Sequence, residues 1–317
     1  MKTAFWKGLG KNINRKGIGT WQFCTDYSVG NSPHGWSKID NQLIKKIIFK
    51  SVEGGVQFFD TAHGYGYGFS EEILGNTLKE IKNDEVFVCS KLPLSNNALS
   101  IKSLDKEFQD QFFTSLKRLN RDRLDILLLH SPPDELDYIN FDFSFLFKMQ
   151  EVGYLGTFGV SAVSLKGVQN VIKSKFGTCI EWVFNPLERR PINEVFPLIK
   201  NDFNFIARSP LNRGFLNNQN YNKTIADFKN QFRSTLNPSW VEWTNENSYQ
   251  ILKILKENQS LSTFSLEFCL SFEEVSVTIP GINKISYLDE YLKVNYLLKN
   301  RELIINQLNE IIKSYIY

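Results

Sequence analysis

The sequence predicts a closed (β/α)8 barrel, a TIM barrel, in a single domain over residues 1–317, with a long loop insertion after strand seven and a C-terminal helix. Three observations lead there. Short apolar runs alternate with amphipathic segments eight times along the chain. The fold typically takes ~250 residues plus insertions, which a chain of 317 residues accommodates. Polar residues close several of the apolar runs, and such barrels carry their chemistry at the C-terminal ends of the strands.

The eight runs are GIGTWQF (17–23), VQFFD (56–60), VFVCSK (86–91), LDILLLH (124–130), GTFGVS (156–161), IEWVFN (180–185), NFIARS (204–209) and VSVTIPG (275–281). Between them the apolar spacing is helical. Residues 40–53 set Leu43, Ile47, Ile48 and Val52 on one face, with Ile39 just ahead. Residues 70–81 start at Ser70, an expected N-cap, with Glu71 and Glu72 at the positive end of the helix. Residues 102–119 repeat Leu104, Phe108, Phe112, Leu116 and Leu119. Further helices are predicted at 143–152, 165–174, 193–200, 263–272, 287–298 and 301–314. The stretch 210–262, rich in Asn and aromatic residues, breaks the alternation and reads as the insertion. An open Rossmann sheet is the competing architecture, but GYGYGF (64–69) lacks the third glycine of G-x-G-x-x-G.

Composition narrows the class. With 42% hydrophobic and 22% charged residues, the chain can build a large core. Lys+Arg exceed Asp+Glu by only 37 − 34 = 3, with no basic block, so no nucleic-acid partner is expected. Cys24, Cys89, Cys179 and Cys269 lie far apart, and with three histidines they offer no metal-ligand spacing. No run reaches the length of a membrane span. A soluble cytoplasmic protein, a monomer or small homo-oligomer, is the expectation.

The strand ends read Asp60, Lys91, His130, Ser161, Asn185 and Ser209. Alone, each has an ordinary explanation: a turn cap, a lysine reaching water, a satisfied core histidine. Strands two, three and four are neighbours in a barrel, however, so Asp60, Lys91 and His130 should converge on one mouth. An aspartate holds a lysine charged. That ammonium lowers the pKa of a nearby phenol, and a phenol so tuned can protonate a developing alkoxide while a neutral histidine donates a hydrogen bond to the same oxygen. The phenol comes from the stretch FFDTAHGYGYGFSEEILG (58–75), with Tyr65 and Tyr67 among glycines.

DTAHGYGYGFSEEILG resembles the D-T-A-x-x-Y-G-x-G-x-S-E-x-x-L-G motif of the aldo-keto reductases, and SKLP, DILLLHSP, GTFGVS, ARSPLNRGFL and TIPG follow in that family's order. The resemblance covers nearly the whole chain. It implies NAD(P)H-dependent reduction of an aldehyde or ketone (a ketosugar is one option), with Tyr65 as general acid and Asp60, Lys91 and His130 completing a tetrad. Tyr67 then falls at a variable place of the motif. It implies an extended NADPH, NADH being possible, along Gly19, Thr20, Trp21 and Asp60, with Ser161 on the carboxamide and Arg208 where many members stack a tyrosine. Ser209 and the loop Pro210, Leu211, Asn212, Arg213 and Gly214 would embrace the pyrophosphate. Gly281, Asn283, Lys284 and Glu290 would serve the adenosine end. The substrate pocket would be lined by Trp21, Trp36, His63, Tyr65 and His130. Four positions depart from the pattern. Ala162 replaces an Asn, Glu181 stands for a Gln on the nicotinamide side, and Tyr287 and Tyr291 replace Gln and Asn, either covering the adenine or packing as a helix face. A catalytically weak nucleotide-binding regulatory protein, or a sugar-modifying enzyme of another reaction class on the same fold, are the alternatives.

Overall fold

A computed structural model describes residues 2–25, 27–36, 38–81, 85–199, 202–257 and 259–312. Eight parallel strands form the sheet: β1 (Gly17–Gly19), β2 (Phe58–Asp60), β3 (Phe87–Leu92), β4 (Leu124–His130), β5 (Leu155–Ser161), β6 (Cys179–Val183), β7 (Asn204–Arg208) and β8 (Val275–Ile279). Each pairs with the next in sequence order, and isolated parallel bridges Lys16–Thr278 and Gly19–Gly281 close β8 onto β1. Helices lie between the strands, as the alternation requires, and the fold is a (β/α)8 barrel.

The strand period places the site. Phe58, Cys89, Ile126, Leu128, Cys179, Ile206, Val277 and Ile279 form one buried cluster, separate from the larger layer between strands and helices. That cluster is the barrel interior. Side chains alternate across a strand, so Asp60, Lys91, His130, Glu181 and Arg208 share the interior parity of Phe58, Cys89, Leu128, Cys179 and Ile206. They are the next interior positions toward the C-terminal mouth. The opposite end is closed by an N-terminal hairpin, Thr3–Trp6 paired with Lys11–Asn14, which the sequence reading did not foresee. Its Trp6 and Ile13 join the interior cluster, with Trp6 stacked on Phe58 at 5.1 Å.

Several boundaries differ from expectation. The first run is a strand only to Gly19, and Trp21–Phe23 form a 3-10 turn. The helix predicted over 102–119 starts only at Lys106 and runs to Leu119, and a separate short helix, Asn96–Ile101, precedes it. The break falls at left-handed Lys102, and the Asp105 carboxylate accepts from Phe108 N. The segment predicted at 193–200 is two short helices, Arg190–Glu194 and Phe196–Ile199. Ser70 is not an N-cap. It lies within helix Phe69–Ile81, fully buried, donating to Thr20 Oγ1 (2.7 Å) and accepting from Thr61 Oγ1 (3.0 Å). The stretch 210–262 is not simply a loop. It contains the helix Pro238–Ile254, started by Asn237 as cap and Pro238 in the first turn, after three short 3-10 turns. The last helix runs Arg301–Ile311; positions 313–314 of its predicted range lie outside the described residues. Among the described residues no helix is long and apolar enough to cross a membrane, and no group of His, Cys, Asp and Glu could hold a metal ion.

Candidate active site

Lys91 is fully buried at the mouth. Its ammonium donates to Asp60 Oδ1 (2.5 Å) and to the carbonyl of Thr61 (2.9 Å), and Glu181 Oε2 lies 3.4 Å away. The Tyr65 ring sits over this cation, centroid 5.3 Å from Nζ. His130 meets Tyr65 nearly edge-on at 5.9 Å, and Trp21 lies roughly parallel to it at 6.0 Å. The structure thus brings Asp60, Tyr65, Lys91 and His130 to one place from four different segments.

The loop that delivers Tyr65 is fixed rather than loose. His63 N donates to Lys91 O and Tyr65 N to Ala62 O. Gly66 and Gly68 have φ of +59° and +100°, the left-handed region that glycine tolerates best. A Cβ on Gly68 would also overlap the guanidinium of Arg118. That guanidinium donates to the carbonyls of His63 (3.2 Å) and Tyr67 (3.3 Å), one on each side of Tyr65. Buried Glu71, 3.5 Å from Arg118, accepts from Ser90, the residue before Lys91. Tyr67, at φ +56°, turns outward. It is 70% exposed and its hydroxyl donates to the Ser28 carbonyl.

The electrostatics follow from burial and the charge cluster. Burial works against the Lys91 ammonium, but Asp60 and Glu181 outweigh it and hold its pKa well above the usual lysine value. Burial and the neighbouring Glu181 push Asp60 up against the opposing pull of Lys91. Burial opposes Glu181 too, yet Lys91 and Arg208 bring it below the ordinary range. Burial, then Lys91, lowers His130 to about 3, so it is neutral at working pH. The Tyr65 phenol corrects one expectation. Lys91 does pull it down, but burial is the larger effect and the net shift is upward, so Tyr65 holds its proton at neutral pH.

The residues expected on the nicotinamide side gather in the same mouth. Ser161 Oγ donates to Glu181 Oε1 (2.8 Å), Arg208 Nε lies 3.5 Å from that oxygen, and Arg208 Nη2 donates to the Ala162 carbonyl. Thr20 donates to the Asp60 carbonyl, and Gly19 bridges to Gly281. Ser209, Asn212, Arg213 and Gly214 all have positive φ, so the loop from Pro210 and Leu211 onward coils tightly. Arg213 stacks near Trp240 and Phe232, at 5.1 and 5.5 Å. At the far end Lys284 is exposed over the Tyr287 ring (5.1 Å), beside partly exposed Asn283. Glu290 accepts from the hydroxyls of Ser260, Ser262 and Thr263.

His63 is not where the sequence suggested, and Tyr291 takes the packing alternative of the two open to it. His63 does not face the mouth. Its Nδ1 meets Ser115 Oγ (3.1 Å) and Arg118, because the tight turn after Ala62 sends the ring toward helix Lys106–Leu119. Tyr291 packs inward, its hydroxyl donating to the Thr278 carbonyl, and offers nothing to an adenine; Tyr287 instead donates to Gln219 of the insertion. Sequence reasoning missed Arg118, which carries no motif signal, and the second contact of Glu181 with Lys91. Trp21 and Trp36 were named for the pocket, but not Phe232 and His34, which lie 4.7 and 5.8 Å from Trp21.

The model of the Aldo/keto reductase family matches residues 17–313. The chain belongs to the aldo/keto reductase family. Its members in general perform NAD(P)H-dependent carbonyl reduction. The chain is similar to aldo-keto reductase YhdN of Bacillus subtilis, 25% identical over 92% of this chain and 88% of that protein. It is similar to an Escherichia coli protein named NADH-specific methylglyoxal reductase, 25% identical over 78% of this chain and 77% of that one. In fold it resembles a Klebsiella pneumoniae aldo-keto reductase solved in complex with NADPH, with a TM-score of 0.70 and 17% identity over 100% and 96% of the two chains.

Proposed function

We propose that this protein reduces an aldehyde or ketone to an alcohol with NADPH, NADH being a possible substitute, and that Tyr65 is the general acid. The observation that carries the reading is the Tyr65 phenol held over a buried, doubly countered Lys91, with neutral His130 edge-on beside it.

The mouth suits a carboxamide. Arg208 Nε is a buried donor, and Asp60 Oδ2 and Glu181 Oε2 are buried acceptors, none with a hydrogen-bond partner. A primary amide supplies both complementary groups. In this reading Gly19, Thr20, Trp21, Ser161, Glu181 and Arg208 hold the nicotinamide, the 209–214 loop holds the pyrophosphate, and Gly281, Asn283, Lys284 and Glu290 serve the adenosine end. Exposed Lys284 provides charge for a 2′-phosphate. The E. coli relative described as NADH-specific and the Klebsiella complex with NADPH show that both cofactors occur among similar proteins.

When bound, the nicotinamide supplies the hydride. The protein's part is proton and geometry. Tyr65 gives its hydroxyl proton to the carbonyl oxygen as negative charge builds there. His130, neutral, donates a hydrogen bond to the same oxygen. The Lys91 ammonium faces the phenolate that remains, and Asp60 and Glu181 keep that ammonium charged and in place. Trp21, Trp36 and Phe232 make an apolar wall that keeps water from the reacting centre. Because Phe232 comes from the insertion, barrel and insertion are proposed to work as one domain over residues 1–317.

The test is NADPH consumption across a panel of aldehydes and ketosugars, alongside fluorescence titration with NADPH. Turnover with an intact Tyr65 requirement supports the proposal. Binding without consumption points instead to a nucleotide-binding regulatory protein, and absence of binding removes both readings.

A further inference from the structure

Beside the aromatic wall, two buried donors have no acceptor. Trp36 is 4% exposed and Arg233 8% exposed, and neither Trp36 Nε1 nor Arg233 Nε has a hydrogen-bond partner. The two side chains lie against each other, the guanidinium carbon 5.2 Å from the Trp36 ring centroid, and Phe228 covers the guanidinium at 3.8 Å. Nη2 donates to Gln231 Oε1 (2.8 Å). Among the described residues no carboxylate forms an ion pair with Arg233.

The contrast with the other buried cations is sharp. Lys91 has Asp60, Glu181 and a carbonyl. Arg15 donates to the carbonyls of Val275 and Phe272, and Lys16 to those of Leu292 and Val294. Arg233 has one neutral amide oxygen. Burial lowers its pKa to about 10, which still leaves it charged at neutral pH. A buried cation without a counter-charge is unfavourable unless something else supplies one.

Its surroundings hold the guanidinium in place. Phe232 N donates to the Gly35 carbonyl and ties this segment to Trp36. A Cβ on Gly214 would come within 3.3 Å of Nη1, so a side chain there would crowd the guanidinium. Trp36 meets Trp21 edge-on at 5.1 Å, and Trp21 lies on Tyr65. The donors therefore sit on the wall that leads away from the proposed reacting centre.

We propose that Trp36 and Arg233 form an anion subsite for the substrate, so that the favoured carbonyl compounds carry a phosphate or carboxylate set back from the aldehyde or ketone. Indole N–H and guanidinium are both donors only, which suits an oxyanion and disfavours a cation or an amine. This assignment of substrate class rests on the carbonyl-reductase reading. A phosphate of the cofactor offers the same chemistry, since Gly214 belongs to the 209–214 loop, and the experiment separates the two sources.

The first arm needs no turnover: calorimetric titration with inorganic phosphate of the full chain and of Arg233→Met, Arg233→Lys and Trp36→Phe. The parent should bind phosphate. Arg233→Met should weaken binding about tenfold or more, as loss of a charge-assisted hydrogen bond does, with Arg233→Lys weakened less and Trp36→Phe a few-fold. Lys and Phe substitutions keep the charge or the ring, so they carry the test if Arg233→Met does not fold. The second arm compares glyceraldehyde with glyceraldehyde 3-phosphate. For Arg233→Met, kcat/KM should fall about tenfold or more for the phosphorylated compound alone, with NADPH affinity unchanged. Weakened NADPH binding with equal loss on both aldehydes overturns the substrate assignment and gives the subsite to the cofactor. Absence of phosphate binding by the parent, or binding unchanged in all three variants, overturns the subsite itself. If the parent reduces no carbonyl compound, the reaction reading fails while the phosphate titration still decides the subsite.

Discussion

Replacing Lys91 by Met strands two buried carboxylates. Asp60 Oδ1 is 2.5 Å and Glu181 Oε2 3.4 Å from the ammonium. At an effective dielectric of ~20 each contact is worth roughly 5–7 kcal/mol of gross attraction. Most of that is offset by the desolvation of the lysine itself, and breaking a buried ion pair from one side costs about 3–5 kcal/mol net. For a chain of 317 residues that corresponds to a fall in Tm of about 4–8 °C. The deficit should depend on pH. Without the cation, the folded-state pKa of Asp60 rises further above its unfolded value, and Glu181 loses the larger of the two pulls that hold it low and rises as well. A group raised in this way contributes its stability below the unfolded pKa and loses it as pH rises through the folded one. The deficit should therefore be largest near pH 8 and shrink toward pH 5. Lys91→Met/Glu181→Gln should recover part of it by removing one stranded charge. Thermal melts of the parent, the single and the double variant at both pH values provide the assay. A single variant that melts with the parent at pH 8, or a double variant no better than the single, refutes the charge assignment. The single variant should also lose carbonyl reduction while retaining NADPH binding, because Lys91 tunes the proton donor rather than gripping the cofactor.

Gly68→Ala places a Cβ at φ +100° against the Arg118 guanidinium; it should lower stability by about 1–3 kcal/mol and reduce kcat with NADPH affinity intact, read by melts and steady-state kinetics. Lys284→Ala should weaken NADPH several-fold and leave NADH unchanged, if the exposed ammonium meets a 2′-phosphate. Equal dissociation constants for the two cofactors in the parent remove the NADPH preference; unchanged NADPH binding in the variant removes only the residue.

Much of this was written in local pattern. The adjacency of strands two, three and four, whose runs end at Asp60, Lys91 and His130, is enough to bring those side chains to one mouth. The eightfold alternation gave the barrel. Other features depend on long-range contacts that leave no local mark. The helix Pro238–Ile254 has an unremarkable apolar stripe inside an Asn-rich stretch. The N-terminal hairpin is four residues a strand, too short to stand out. Arg118 reaches the loop that carries Tyr65 from a helix whose apolar repeat, Phe108, Phe112 and Leu116, says only that the opposite face is polar. Glu181 was visible as a departure from pattern, but its contact with Lys91 required the neighbouring strands to be in register. The direction of the Tyr65 shift needed the degree of burial, which sequence does not give.

The central claim is that Tyr65, not Tyr67, delivers the proton. Tyr65 lies over Lys91 and beside His130, whereas Tyr67 points to solvent and the Ser28 carbonyl. Single-turnover hydride transfer, measured with saturating NADPH, should fall by ~10²–10⁴-fold in Tyr65→Phe, the usual share of general acid catalysis. Tyr67→Phe should keep the parent rate of that step. Loss of the step in Tyr67→Phe with retention in Tyr65→Phe, or retention in both, would contradict the account.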